Sequence, residues 1–67
     1  SVVLSVKSII SKELNSMPAG SAVSISTIYE DAEKLGISKE NVDSAINLLK
    51  KEGEIFEPKM GYIKSLI

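Results

Sequence analysis

The stretch LLKKEGEIFEPKMGYI, residues 48–63, changes its pattern halfway along and thereby decides the fold. Its first part continues a helical pattern that stops at Gly53, a residue type that commonly follows a helix C-terminus. Two runs rich in β-forming residues follow at 54–57 and 62–67, separated by a turn at 58–61. The proline of this turn cannot donate to a strand ladder, so we expect it at a strand end or at the hairpin tip. The stretch predicts a helix end followed by a hairpin.

A further helix and a short extended segment are predicted at the other end of the chain. Apolar residues recur at helical spacing over residues 2–14, and a turn containing a proline follows. Residues 21–25 then alternate apolar and small polar side chains, which indicates a very short strand or an extended link.

A second helix is predicted directly after this segment. Ser26 or Thr27 is expected to cap it, the latter as part of a capping box that ends at Glu30. Gly36 is expected to end it. The predicted apolar stripe consists of Ile28, Ala32 and Leu35.

The third helix begins after a tight glycine-containing link, which is typical of a helix-turn-helix. Ser38 is expected to cap it. Its predicted buried stripe consists of Val42, Ala45, Ile46 and Leu49. The order helix, short strand, helix, helix, strand, strand predicts an α+β fold. The predicted fold is a winged helix-turn-helix, with three helices and a small two- to three-stranded antiparallel β-sheet.

Composition limits the possible functions. The chain has 67 residues, enough for one small domain, and it contains neither cysteine nor histidine. Zinc fingers, iron–sulfur clusters, disulfide scaffolds and histidine-based catalysis are therefore excluded, and we expect no catalytic, cofactor or metal site. The formal net charge is −1 and all eight basic residues are lysines, whereas dedicated DNA readers are usually basic and use arginine. Absence of cysteine fits a cytoplasmic protein, and no apolar run is long enough for a membrane span.

Residues 48–63 resemble the end of the C-terminal winged-helix domain of archaeal minichromosome maintenance (MCM) replicative DNA helicases. From Leu49 to Ile63 they meet every position of the pattern Leu-x-x-x-Gly-x-Ile-(aromatic)-Glu-Pro-(basic)-x-Gly-(aromatic)-(aliphatic). Residues 20–25 and 32–37 fit the same family less specifically. A related winged helix, which binds proteins, ends the middle subunit of replication protein A.

The resemblance implies an accessory domain. In that family an ATP-hydrolysing motor lies upstream, and no Gly-x-x-x-x-Gly-Lys-Ser/Thr phosphate loop occurs in this chain. We therefore expect residues 1–67 to form a single winged-helix domain, the C-terminal fragment of a larger protein and not itself an enzyme. Implied partners are the parent helicase motor or other replication proteins, with weak non-specific DNA binding, no membrane and a monomeric isolated domain. The alternatives are a sequence-specific transcription regulator and a purely protein-binding winged helix.

The exposed stripe of the third helix is the first candidate site. In a DNA reader this helix meets base edges, and Asn41 and Asn47 could read adenine. Lys39 could contact a DNA phosphate, but Glu40 and Asp43 lie beside it, and their carboxylates would repel the DNA phosphates. We therefore favour a solvated helix face over base readout.

The lysines form the second candidate site. Lys50 and Lys51 end the third helix, while Lys59 and Lys64 lie on the hairpin. In a winged helix these regions can share one side, which would give a positive strip suited to sequence-independent phosphate contacts. Ordinary solubilising surface is the equally supported alternative.

The acidic run and the aromatic residues complete the candidates. Glu30, Asp31 and Glu33 could dock a basic partner, although a charged solvent face is the favoured interpretation. Met60 at the wing tip is a further possible protein contact. The rings flanking the wing turn could stack on single-stranded bases, but we expect them and the partly buried tyrosine of the second helix to pack on the core or on each other. These aromatic residues are Tyr29, Phe56 and Tyr62.

Overall fold

The computed structural model describes residues 1–66, which form three helices and three short strands. In chain order the elements are α1 (Val2–Asn15), β1 (Val23–Ser24), α2 (Ile25–Glu33), α3 (Lys39–Lys51), β2 (Ile55–Lys59) and β3 (Tyr62–Ser65). The strands form one antiparallel sheet in the order β1-β3-β2. The predicted α+β winged helix-turn-helix is confirmed, and the short strand adds the third member of the sheet.

One hydrophobic core joins all six elements. Its members come from the inner faces of the helices and from one face of the sheet: Val6, Ile9, Ile10, Val23, Ile28, Ala32, Val42, Ala45, Ile46, Leu49, Ile55 and Ile63. The predicted buried stripe of the third helix is thereby confirmed. Because neighbouring residues of a strand point to opposite sides of a sheet, buried Ile63 sends Tyr62 and Lys64 to the face that points away from the helices.

Strand β1 passes directly into helix α2, and this changes the predicted cap. Ser24, rather than Ser26 or Thr27, is the N-cap, and its hydroxyl oxygen accepts from the backbone N–H of Ser26 at 3.1 Å. The prediction was wrong because pairing of β1 with β3 already holds Ser24 in the extended conformation that an N-cap requires. The backbone N–H of Ile25 donates to the carbonyl of Gly61 at 2.9 Å, so the helix starts against the wing.

The end of α2 corrects the predicted apolar stripe. Leu35 is 63% exposed and does not join the core. Gly36, at φ +75°, lies in the turn that follows α2, in the left-handed conformation that favours glycine, and its N–H donates to the carbonyl of Glu33 at 2.9 Å. The next N–H, that of Ile37, donates to the carbonyl of Ala32 at 3.0 Å. Since this turn brings Ile37 back against the core, Ile37 fills the place that the spacing assigned to Leu35.

The wing turn is tighter than the predicted 58–61. Strand β2 continues to Lys59, so the turn itself consists of Met60 and Gly61. Pro58 therefore lies inside β2, where the register shifts by one residue between Phe56 and Lys59. Such a bulge on an edge strand tolerates a residue without an N–H.

The remaining boundaries agree closely with the sequence. Ser38 caps α3 as predicted, its hydroxyl oxygen accepting from the N–H of Asn41 at 3.2 Å. Gly53 follows the C-cap of α3 with φ +74°. Strand β3 ends at Ser65, and Ile67 of the predicted strand lies outside the described residues.

Candidate interaction surfaces

The first turns of α3 are held against α2 by one tyrosine. The hydroxyl of Tyr29 donates to Oδ1 of Asp43 at 2.5 Å, and the ammonium of Lys39 lies 5.3 Å from the centre of the Tyr29 ring. The hydrogen bond to the Asp43 carboxylate raises the pKa of Tyr29, because it favours the protonated phenol. Tyr29 is partly buried, as predicted. Lys39 and Asp43 therefore help to fix the angle between the two helices.

The rest of the exposed stripe of α3 is mixed in charge and polarity. Glu40, Asn41 and Asn47 are exposed, as expected of an outward stripe. The carboxylate of Glu40 lies in the first turn, where it suits the helix dipole. It would repel a phosphate placed at that end of the helix. The arrangement thus favours a helix face that does not read bases.

Glu57 forms a bridge between the wing and α3 that sequence reasoning missed. Its Oε1 lies 2.5 Å from the ammonium of Lys50, and its Oε2 accepts from the backbone N–H of Gly61 at 2.6 Å. The Lys50 and Gly61 hydrogen bonds lower the pKa of Glu57. The available signal was the four-residue spacing from Glu57 to Gly61 within the family motif. This Glu57 bridge fixes the wing turn relative to the end of α3.

The predicted lysine strip is divided. Lys50 belongs to the Glu57 bridge, so its charge is already paired. Lys51 is exposed at the end of α3, a helix that packs on the inner face of the sheet. Lys59 and Lys64 lie on the opposite face. The lysines therefore supply two separate positive regions.

We define the wing face as the sheet surface that points away from the helices. Its members are Ser24, Phe56, Lys59, Tyr62 and Lys64. Lysines and rings alternate across it, since Phe56 pairs with Lys64 and Tyr62 pairs with Lys59. The ammonium of Lys59 lies 5.1 Å from the centre of the Tyr62 ring.

The wing face corrects the expectation for the aromatic pair. Phe56 and Tyr62 are 37% and 39% exposed, and neither belongs to the core. They are not cross-strand partners of each other either. The prediction was wrong because neighbouring residues of a strand point to opposite faces, so burial of Ile55 and Ile63 places Phe56 and Tyr62 on the outer face. Met60 at the tip is 91% exposed, as expected.

The acidic run of α2 points in two directions. Glu30 and Glu33 line a surface depression of about 510 Å³ between α2 and the start of α3. Asp31 instead approaches Glu13 of α1, and its hydrogen bond and negative charge raise the pKa of Glu13. Helical geometry explains the division, because consecutive positions point about 100° apart. The three carboxylates do not form one docking face.

Residues 1–66 contain neither a metal-binding cluster nor a membrane-spanning helix. No group of three or more acidic side chains within this range could hold a metal ion. Within the same range, no helix is long and apolar enough to cross a membrane.

Three helices, a helix-turn-helix formed by α2 and α3, and a hairpin beside α3 define this chain as a winged-helix domain. The match to the family model of the MCM protein C-terminal winged helix-turn-helix domain covers residues 5–65, and the chain belongs to that family. The predicted resemblance is confirmed.

One curated relative has also been identified. An uncharacterized MCM-type protein of the archaeon Methanocaldococcus jannaschii is 54% identical over 35 residues, which are 52% of this chain. The matched segment amounts to 5% of that relative's length. No solved structure matches the chain.

Proposed function

We propose that the chain is an accessory domain of an MCM replicative DNA helicase, located in the cytoplasm. It forms the C-terminal part of a longer protein and is not itself an enzyme. It acts on the motor or on other replication proteins by contact, with at most weak non-specific DNA binding. The family match over residues 5–65 supports this setting.

The contacts that side chains at the start of α3 make with α2 are the main support for the proposal. A DNA-reading winged helix needs free polar side chains near the start of this helix. Here Asp43 is bound to Tyr29, Lys39 lies over the same ring, and Glu40 brings a further negative charge. This arrangement disfavours a sequence-specific transcription regulator.

Phosphate contact by the remaining lysines supports only weak binding. Lys51, Lys59 and Lys64 are point charges, and Lys50 is already paired with Glu57. Contacts of this kind carry no sequence information and weaken as salt rises. Asn47 and Lys39 remain predicted DNA contacts, with less support than the other lysines.

A purely protein-binding winged helix is the second candidate. The depression lined by Tyr29, Glu30 and Glu33 favours it, because two carboxylates there would suit a basic segment of a partner. Met60 at the wing tip would add an apolar contact. Asp31 lies against α1 and would contribute only if Glu13 moved.

Truncation tests the accessory role. An MCM helicase carrying this chain at its C-terminus would be compared with the same protein ending before Ser1, in assays of ATP hydrolysis and of forked-duplex unwinding. We expect both activities to persist at altered rates, and the 67-residue chain added separately to restore part of the difference. Unchanged rates would contradict regulation, and complete loss of ATP hydrolysis would contradict an accessory role.

A further inference from the structure

We propose that the wing face binds single-stranded nucleic acid, with bases stacked on Phe56 and Tyr62 and phosphates held by Lys59 and Lys64. The inference names a ligand class for the weak DNA contact proposed above. It rests on that proposal only for its biological setting, because the binding itself is argued from the geometry of the sheet.

The exposed rings are the first observation. A phenylalanine and a tyrosine normally contribute large apolar areas to a core, yet Phe56 and Tyr62 leave more than a third of their surface in water. The helices of the described chain all pack on the other side of the sheet, where Val23, Ile55 and Ile63 are buried. A flat ligand could therefore reach both rings from the solvent side, on Tyr62 in place of the Lys59 ammonium.

The spacing of the rings is the second observation. Tyr62 lies two residues from Lys64, the cross-strand partner of Phe56, so the two rings are diagonal neighbours. Diagonal neighbours in an antiparallel pair lie about 7–8 Å apart. Sheets of other folds that carry aromatic residues on one face stack two or three bases of a single strand on them. Two rings on this sheet suit two successive bases.

Charge on the wing face is the third observation. Lys59 and Lys64 lie on it, and none of the described side chains that define it is a carboxylate. The whole chain has a net charge of −1, whereas the charged side chains among those that define the wing face are both lysines. The nearest acidic member of the motif, Glu57, is turned away and bound to Lys50 and to Gly61. The surface therefore attracts an anionic ligand.

The contact between Lys59 and Tyr62 shows how a base could enter. The ammonium now lies 5.1 Å from the ring centre, in a solvent-exposed cation–π contact that is readily exchanged. A base that stacks on Tyr62 would displace the ammonium, which could then contact the adjoining phosphate. Both groups would keep a favourable partner in the complex.

Single strands fit this surface better than duplexes or peptides. In a duplex the π-faces of the bases are stacked inside the helix and cannot reach Phe56 or Tyr62. An acidic peptide would satisfy the lysines but would leave the rings without flat partners. Stacking is also tolerant of sequence, because every base has a π-face.

Fluorescence anisotropy of a labelled oligothymidylate of about ten nucleotides tests the proposal on the 67-residue chain. We expect saturable binding that Phe56→Leu and Tyr62→Leu each weaken about tenfold, since leucine keeps apolar bulk but removes the π-face. Tyr62→Phe should keep most of the affinity. Leu48→Ala, which trims another exposed apolar residue, is the matched control and should leave binding unchanged.

The salt dependence tests the phosphate contacts. With two lysines engaged, the slope of log K against log salt should be about −1.4 for a single strand. Lys59→Ala or Lys64→Ala should reduce the steepness by about 0.7, whereas Lys12→Ala on α1 should not change it. Circular dichroism of each variant would verify that the fold is intact.

Three results would overturn the proposal. The first is that Phe56→Leu and Tyr62→Leu both bind the oligonucleotide with the affinity of the unmodified chain. The second is equal or tighter binding of a duplex of the same length. The third is displacement of the oligonucleotide by an acidic peptide of equal affinity, which would identify a protein-binding surface. Because these measurements need no motor, their failure would leave the truncation test of the accessory role unaffected.

Discussion

The exposed face of α3 and the wing face differ in what their charged groups contact. On α3, Asp43 and Lys39 are both engaged by Tyr29 of the neighbouring helix, and Glu40 adds a negative charge at the end where a DNA reader needs positive charge. On the wing face, lysines alternate with half-exposed rings. We therefore infer that α3, the usual reading helix, has a structural role here and that the hairpin offers the better interaction surface.

The Glu-Pro-Lys-x-Gly-Tyr motif, residues 57–62, explains how the wing face is formed. Glu57 holds the turn by binding Gly61 and Lys50, and Pro58 occupies the bulge of an edge strand. The bulge brings Lys59 opposite Tyr62. Each residue of the motif therefore either shapes the wing or lies exposed on it.

The largest expected loss of stability comes from a substitution in the hydrophobic core that lies beneath both the wing face and α3. Ile63 is fully buried between the wing face and the helices. We expect Ile63→Ala to lower the free energy of unfolding by about 2–5 kcal/mol, a large share of the stability of so small a domain. Denaturant unfolding followed by circular dichroism measures this. A loss below about 1 kcal/mol would mean that the wing is not part of the common core.

A smaller effect is expected at the wing turn. Gly61 has φ +86°, and a Cβ there would meet nothing within 4 Å, so the cost of Gly61→Ala is one of backbone conformation alone. We expect a loss of about 1–2 kcal/mol. Amide shifts should change around Glu57 and Lys50 but not at Tyr29 or Asp43. Shifts spreading to those two residues would contradict the separation of the regions.

The contact between α2 and α3 is expected to be weaker still. Tyr29→Phe removes the hydroxyl that donates to Asp43 but keeps the ring under Lys39. We expect a loss of about 0.5–1 kcal/mol in unfolding free energy. The variant should also leave oligonucleotide binding unchanged. Tighter duplex binding by Tyr29→Phe would show that this contact masks a DNA-reading helix.

Acid should distinguish the Glu57 bridge from the carboxylate pair of α1 and α2. The pKa of Glu57 is lowered by Lys50 and by the Gly61 N–H, so its stabilisation is present above the unfolded pKa and is lost as pH falls through the folded pKa. Glu57→Gln should therefore destabilise the chain at pH 7, and the difference should shrink as pH falls through the folded pKa of Glu57.

Glu13 supplies the control of opposite sign. Its pKa is raised by hydrogen bonding to Asp31 and by burial, so the folded chain gains stability as pH falls through that pKa. Glu13→Gln should stabilise the chain slightly at pH 7, and the difference should vanish in acid. Denaturation midpoints measured from pH 7 into the acid range test both variants. Equal pH dependence of the two would contradict the assigned contacts.

The sequence predicted the elements well because their signals are local. Helical spacing, the Ser38 cap and the terminating glycines each depend on a few neighbouring residues. The errors share a different cause, since each required knowledge of a partner distant in the chain. Ser24 became the cap because β1 pairs with β3, and Ile37 replaced Leu35 because the helix end turns back onto the core.

The candidate sites were less predictable for the same reason. Composition alone indicated a poor DNA-reading helix, but it did not reveal that Asp43 is bound to Tyr29. Counting four lysines on two segments suggested one strip, whereas strand alternation and the Glu57 bridge separate them. The outer position of Phe56 and Tyr62 depends on which face of the hairpin packs on the helices, and Ile55 and Ile63 occupy that face.

Mapping of amide shifts in the labelled chain would compare the two regions in one experiment. Single-stranded and duplex oligonucleotides of equal length would be added separately at low and moderate salt. We expect the single strand to shift Phe56, Lys59, Tyr62 and Lys64 in a salt-sensitive manner, while Glu40, Asn41 and Asn47 stay unmoved. Sequence-dependent shifts of those three α3 residues on addition of duplex would contradict the central claim that the wing face, and not α3, is the interaction surface.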